Sequence, residues 1–198
     1  MNYFNTTHQR LKTDTHSAHT ALDSSPLLRS LMETTLTIES YIAVMQIMHK
    51  WFAAAESTHL HEYFNHSSLP LIKVKTGLLE ADLQELGGTT LPKLALAKKT
   101  ASRHFSLGVL YVAEGSSLGG MIIGKKVKKT LGLQKATRFY DCYGHQKIDS
   151  FRTTINYIHS LCATEEHYQQ VLAGALDSFS ALRALCNKKV VTQEELVS

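Results

Sequence analysis

The sequence predicts an all-α protein, a helical bundle forming a single domain over residues 1–198. Three observations carry that prediction. Proline occurs only at Pro26, Pro70 and Pro92, so nothing in the second half interrupts a long helix. Apolar residues recur at helical spacing through much of the chain, while the period-two alternation of strands is absent. With 198 residues, 43% hydrophobic and 19% charged, the chain is long enough for one substantial core and short for two.

The first helix is predicted from about Asn5 to Leu22, with Phe4, Leu11, Ala18 and Leu22 on its apolar side and Asp23-Ser24-Ser25-Pro26 as its end. A second begins after Thr37, where Ile38, Tyr41, Ile42, Met45, Met48, Trp51 and Phe52 form a core stripe. Thr58 to Ser68 has weak periodicity and fits either a short helix or a connection. Leu71 to Leu86 reads as a helix closed by Gly87-Gly88, which supply the positive backbone angle favoured after a helix end. Pro92 suits the start of a further helix. A long glycine-bearing helix follows from roughly Ala101 to Thr130, ending before Gly132. After the turn-like Asp141-Cys142-Tyr143-Gly144-His145 comes a helix near Ile148 to Leu161, then a last one from Thr164 to Cys186. Thr164 is its N-cap, with Glu165 and Glu166 favourably placed in the first turn.

Composition narrows the function classes. No apolar run approaches the ~18 residues of a membrane span, and the amino terminus lacks the basic start and apolar core of a secretory signal. A cytoplasmic protein without a membrane span is expected. Cys142, Cys162 and Cys186 form no CxxC pair and read as reduced thiols. The net charge of +4 is modest, but Lys125, Lys126, Lys128 and Lys129 cluster. They read as a solvated helix end favoured by the macrodipole, or as a docking patch for an acidic partner. Nucleic acid is not expected, because no stripe of basic and aromatic residues continues around the cluster.

Two constellations carry chemistry. Gly108 to Gly124 holds five of the eleven glycines in otherwise helix-forming sequence, where each costs roughly 1 kcal/mol relative to alanine. Such a cluster implies a bend, a close approach by another element, or a ligand. Gly108, Tyr111, Gly115 and Gly119 fall along one side, a bare strip beside a tyrosine. In the first helix, Lys12, His16, His19 and Asp23 share one polar edge, with Lys12 and His19 roughly 10 Å apart along the axis. That spacing suits a flat ligand with a central metal and an anionic rim. His19 then coordinates the metal, Asp23 orients its ring, and Lys12 reaches the rim. His16 is a rival ligand on spacing alone, and the plain alternative is a solvated face.

The segments Leu11-Lys12-Thr13-Asp14-Thr15-His16-Ser17-Ala18-His19 and Leu110-Tyr111-Val112-Ala113-Glu114-Gly115-Ser116-Ser117-Leu118-Gly119-Gly120 resemble the proximal and distal heme-contacting helices of heme oxygenases, nearest to the bacterial, biliverdin-producing branch. Leu11, Lys12, Thr15 and His19 occupy the places of the proximal pattern. Tyr111, Val112, Glu114, Gly115, Ser116, Leu118, Gly119 and Gly120 meet the distal one. The resemblance implies heme held between a proximal and a kinked distal helix, with His19 rather than His16 as the iron ligand. It implies Lys12, Tyr111 and Arg152 as partners of the propionates, and Gly115, Ser116 and Gly119 as the catalytic face.

The reaction so implied is cleavage of heme to biliverdin, carbon monoxide and ferrous iron. Dioxygen is consumed, and electrons come from a donor such as a ferredoxin or another reductase. Ser116 stands where the mammalian branch has an aspartate, and Phe151 where many bacterial relatives have a tryptophan. A non-catalytic heme-binding or heme-trafficking protein of the same fold is the alternative, and a helical interaction module a second one. A diiron oxidase is disfavoured by the lack of paired Glu-x-x-His ligands.

Overall fold

The computed structural model describes residues 6–92 and 102–187, and in these residues every regular element is helical. Nine α-helices succeed one another there: α1 (Thr6–Asp14), α2 (His16–Asp23), α3 (Pro26–Ser30), α4 (Ile38–Ala55), α5 (Thr76–Glu85), α6 (Arg103–Leu131), α7 (Arg138–Asp141), α8 (Lys147–Leu161) and α9 (Glu165–Asn187).

The single first helix expected from the sequence is broken at Thr15. Its buried hydroxyl donates back to the Leu11 carbonyl at 2.6 Å, a contact that bends helices. The ladder still passes through the bend, with Thr15 N to Leu11 O and His19 N to Thr15 O both 2.9 Å. Phe4 and Asn5, placed on this helix by the sequence, lie outside the described residues. Pro26, read as an end, instead opens the short α3 at a position where its missing N–H is no loss.

Thr37 caps α4 as its position suggests, its hydroxyl accepting from Ser40 N at 3.2 Å, an arrangement worth about 1 kcal/mol. Tyr41, Met45, Trp51 and Phe52 of the predicted stripe are buried, while Ile38, Ile42 and Met48 are half-buried. Beyond Ala55 a single π-helical turn, Glu56–Leu60, leads into turns, so the ambiguous segment is part helix and part connection.

Helix α5 begins five residues later than the periodicity suggested. The Glu56 carboxylate accepts from Lys75 N at 2.6 Å and from the Thr76 hydroxyl at 2.5 Å, so a residue from another element caps it there. Its end follows the expected glycine pair: Gly87 has φ 73°, and Gly88 N reaches Leu83 O at 2.9 Å. The helix expected near Pro92 and the residue Ala101 fall outside the described residues.

Helix α6 is the spine of the fold. Ser102 caps it through Phe105 N at 3.1 Å, and Gly132 ends it with φ 66°. It lies on α9 so closely that a Cβ on Gly108 would stand 2.0 Å from Val171 O, and one on Gly174 would stand 2.0 Å from Phe105 O. Helices α7 and α8 flank α6; α2, α3 and α4 rest on α9; α5 joins α4 to α7. By length and composition alone α6 could cross a membrane, contrary to the expectation that no segment approaches that limit. Its few charges explain the match, yet 61% of the apolar window is buried within this fold.

Candidate functional site

His19 stands one turn before the end of α2. Its Nδ1 lies 2.9 Å from Asp23 Oδ2, the partner one turn on that the sequence nominates. The carboxylate fixes the hydrogen on Nδ1, so Nε2 carries the lone pair a metal requires. The hydrogen bond to Asp23 raises the His19 pKa above the ordinary histidine value, and partial burial opposes it. Phe179 of α9 supports the ring edge-on, with centroids 5.5 Å apart, while 59% of the His19 side chain remains exposed. His16 is exposed at the start of α2.

Helix α1, which leads into α2, is fastened to the bundle by long-range polar contacts. Arg10 meets both oxygens of Glu165 at 2.9 and 2.8 Å and lies 3.7 Å over the Tyr168 ring. The Tyr168 hydroxyl in turn donates to Asp14 at 2.6 Å, and Thr7 joins His159 at 2.7 Å.

The glycine strip divides by function. Gly108 serves the crossing with α9, and Gly120 and Gly124 lie against Tyr140 of α7, each Cβ position 3.0 Å from that residue. They are therefore packing glycines: of the three alternatives the sequence leaves open for the cluster, these positions realise the close approach by another element. Gly119 differs: a Cβ there would meet nothing within 4 Å, and one on Gly115 would meet only Phe151 at 3.7 Å. Between them the Ser116 hydroxyl donates to the Ala113 carbonyl at 2.8 Å.

Tyr111 is buried where α1, α6 and α8 meet, its ring 6.4 Å from His8 and 6.1 Å from Phe151. Burial raises its pKa, with a hydrogen bond involving Thr15 acting the other way. Lys12 is exposed one turn after His8; burial, and then the Lys12 charge, lower the His8 pKa. Arg152 follows Phe151 in sequence, but its guanidinium donates to Asp149 of its own helix at 2.7 Å. Tyr111 thus lies beside the His8 ring and Lys12 follows His8 by one helical turn, whereas Arg152 is engaged by Asp149.

Several residues of this region carry no role in the sequence reading. His8 is one turn before Lys12, a spacing that extends the polar edge and offered a signal. Phe179 and Tyr143 stand in segments of weaker similarity to the heme oxygenases, and Lys75 enters through tertiary packing alone. A cavity of about 380 Å³ lined by His49, Ala54, Glu56, Phe64 and Glu80 shares none of these residues.

Helices α6 and α9 cross in close contact, Ser102 meeting Gln170 and Gly108 meeting Val171 and Ala175. Helix α9 bears Phe179, on which the His19 ring rests, and α6 carries Gly115 and Gly119. An imidazole with Nδ1 held by a carboxylate, and helix backbone stripped of Cβ atoms, suit a flat metal-centred ligand such as heme.

Comparison with known proteins decides the family. A family model described as heme oxygenase matches residues 5–188. The chain belongs to the heme oxygenase family. Solved structures of heme oxygenases share its fold at low sequence identity. The NO- and CO-bound enzyme of Neisseria meningitidis is 21% identical, with a TM-score of 0.75 over 91% of this chain and 89% of that one. The Leptospira interrogans heme oxygenase is 22% identical, with a TM-score of 0.75 over 92% and 98% of the two chains. Heme oxygenase-1 of the cyanobacterium Synechocystis, in complex with heme, is 17% identical, with a TM-score of 0.76 over 92% and 91%. Comparison with curated protein sequences gives no significant match. As in these heme oxygenases the fold is all-helical, and no three His, Cys, Asp or Glu side chains among the described residues converge as a metal-binding group.

Proposed function

We propose that this member of the heme oxygenase family opens heme oxidatively to biliverdin, carbon monoxide and ferrous iron. It uses dioxygen and electrons from an external donor such as a ferredoxin or another reductase. One observation carries the reading: His19, its Nδ1 2.9 Å from Asp23, belongs to a chain matched by the family over residues 5–188. Bound heme supplies the oxygen-activating iron and is itself the molecule oxidised.

The residues divide the remaining work. His19 is the metal ligand through Nε2, and Asp23 keeps the proton on Nδ1. Gly115 and Gly119 keep side chains away from the opposite face, so backbone can approach the ligand and a diatomic molecule has room. The Ser116 hydroxyl, donating to Ala113 at 2.8 Å, retains lone pairs that accept from water and help relay protons. Lys12 and Tyr111 hold the propionates, and Arg152 joins them by exchanging the Asp149 carboxylate for a propionate. Lys128 is bound to Asp141 at 2.6 Å, so Lys125, Lys126 and Lys129 form the docking patch for an acidic electron donor. The reading also places the protein in the cytoplasm.

The test loads the protein with stoichiometric hemin and follows its absorption in air after a reductant is added, with catalase present to remove free peroxide. Loss of the Soret band with growth of biliverdin absorption is the expected result. A bound-heme spectrum that stays unchanged with several electron donors points to a carrier, and failure to bind hemin to an interaction module.

A further inference from the structure

Beneath the Ala113–Ser117 segment lies a polar cluster that the proposed reaction does not use. The side chains of Lys75 and Glu114 are 1% and 2% exposed, and Lys75 Nζ is 2.5 Å from Glu114 Oε1. The Tyr143 hydroxyl donates to Glu114 Oε2 at 2.9 Å and the Ser150 hydroxyl does so at 3.3 Å. Glu56 holds the Lys75 backbone N–H at 2.6 Å, fixing the point from which the long side chain starts. The ammonium also lies 5.5 Å from the Phe52 ring centroid and 5.3 Å from that of Tyr143. Burial disfavours the charged ammonium, but Glu114 and Tyr143 together hold the Lys75 pKa above its ordinary value.

A second bond makes this more than a buried ion pair. Lys75 Nζ also donates to the Ala113 carbonyl at 3.2 Å, the same oxygen that accepts from Ser116 Oγ at 2.8 Å. Inside a helix that oxygen already faces the amide four residues on, here Ser117 N. A carbonyl oxygen has two lone pairs, so three donors compete for it. The competition falls two residues before Gly115, whose lack of a side chain makes the helix most yielding there.

We propose that Lys75 is a positioning residue for the distal helix. Its ammonium, neutralised by Glu114, draws the Ala113 carbonyl away from the helix ladder and thereby sets where the Gly115 backbone and the Ser116 hydroxyl stand. The consequence at the ligand rests on the heme-binding reading above; the geometry does not. Glu114, one residue from the predicted catalytic face, then serves as the counter-ion that makes a buried lysine tolerable.

The test compares Lys75→Met, Glu114→Gln and the double variant K75M/E114Q, because Lys75→Met alone leaves an unpaired buried carboxylate and is prone to unfold. The double variant removes the pair with near-isosteric neutral groups, while in E114Q the lysine loses its counter-ion and keeps the Ala113 bond only as a neutral amine donor. Amide hydrogen exchange is measured on the protein without hemin. In K75M/E114Q the amides of residues 115–120 change exchange rate by roughly tenfold, while those of α9 around Gly174 stay at wild-type rates. In E114Q the same amides move much less.

Hemin-loaded protein supplies the second readout, the pH midpoint of its acid–alkaline spectral transition. The shifts caused by K75M/E114Q and by Ser116→Ala are non-additive, because both act through one carbonyl. A uniform change in exchange, no change at residues 115–120, or additive shifts would overturn the proposal. Failure of wild-type protein to bind hemin overturns the functional reading instead, and leaves the exchange comparison standing as the judge of this one.

Discussion

His19 has to satisfy two competitors for its ring: a proton and, in the proposed function, an iron. The Asp23 hydrogen bond raises its pKa, so at slightly acidic pH the imidazolium is the favoured form of the ligand-free protein. Hemin binding is therefore expected to release a proton as pH falls through the raised His19 value, a release measurable in weakly buffered dye solution. Asp23→Asn lowers the His19 pKa and moves that release to lower pH; an imidazole NMR titration unchanged by the substitution would sink this account. The stability sign follows from the same shift. The pair's contribution is fully present below the unfolded histidine value of about 6.5 and is lost as pH rises through the higher folded value. His19→Ala is expected to change the absorption spectrum of hemin-loaded protein, and an unaltered spectrum would refute its assignment as ligand. The His19–Asp23 contact was legible because the two residues are four apart on one helix. The Lys75 and Glu56 contacts join positions 19 residues apart through the fold, and no local spacing announces them.

At the scale of the helix, glycines that look equivalent in sequence have opposite energetics. Gly108→Ala puts a methyl carbon 2.0 Å from Val171 O, a clash relieved only by moving α6 off α9. A loss of about 3 kcal/mol or more in chemical denaturation is expected. Gly119→Ala meets nothing within 4 Å. It is expected to stabilise the hemin-free protein by about 0.5–1 kcal/mol through helix propensity while weakening hemin binding. Equal destabilisation by the two substitutions would remove the distinction between packing glycine and ligand-facing glycine. Periodicity and the Thr37, Thr164 and Gly132 signals located α4, α9 and the end of α6 well. It missed the Thr15 break, which depends on one hydroxyl turning inward, and the late start of α5, which depends on a carboxylate arriving from the turn after α4.

The whole molecule is tied together by a few buried polar groups as well as by its core. Asp82, fully buried on α5, accepts from Arg138 N at 3.1 Å and Phe139 N at 3.0 Å, so it caps α7 from another helix. Asp82→Ala leaves those amides without an acceptor, and a loss of about 3 kcal/mol is expected in urea unfolding. Single-domain organisation, expected from length, predicts one cooperative transition with coincident fluorescence and circular-dichroism midpoints; two separated midpoints would contradict it. The glycine contacts of α6 have a mechanical meaning at this scale. The helix is held at Gly108 by the backbone of α9 and at Gly120 by Tyr140 of α7, a span of roughly 18 Å at 1.5 Å per residue. A rod clamped at both ends does not swing under load; it would deflect most at mid-span, and mid-span here is Glu114, the residue that Lys75, Tyr143 and Ser150 hold from the side.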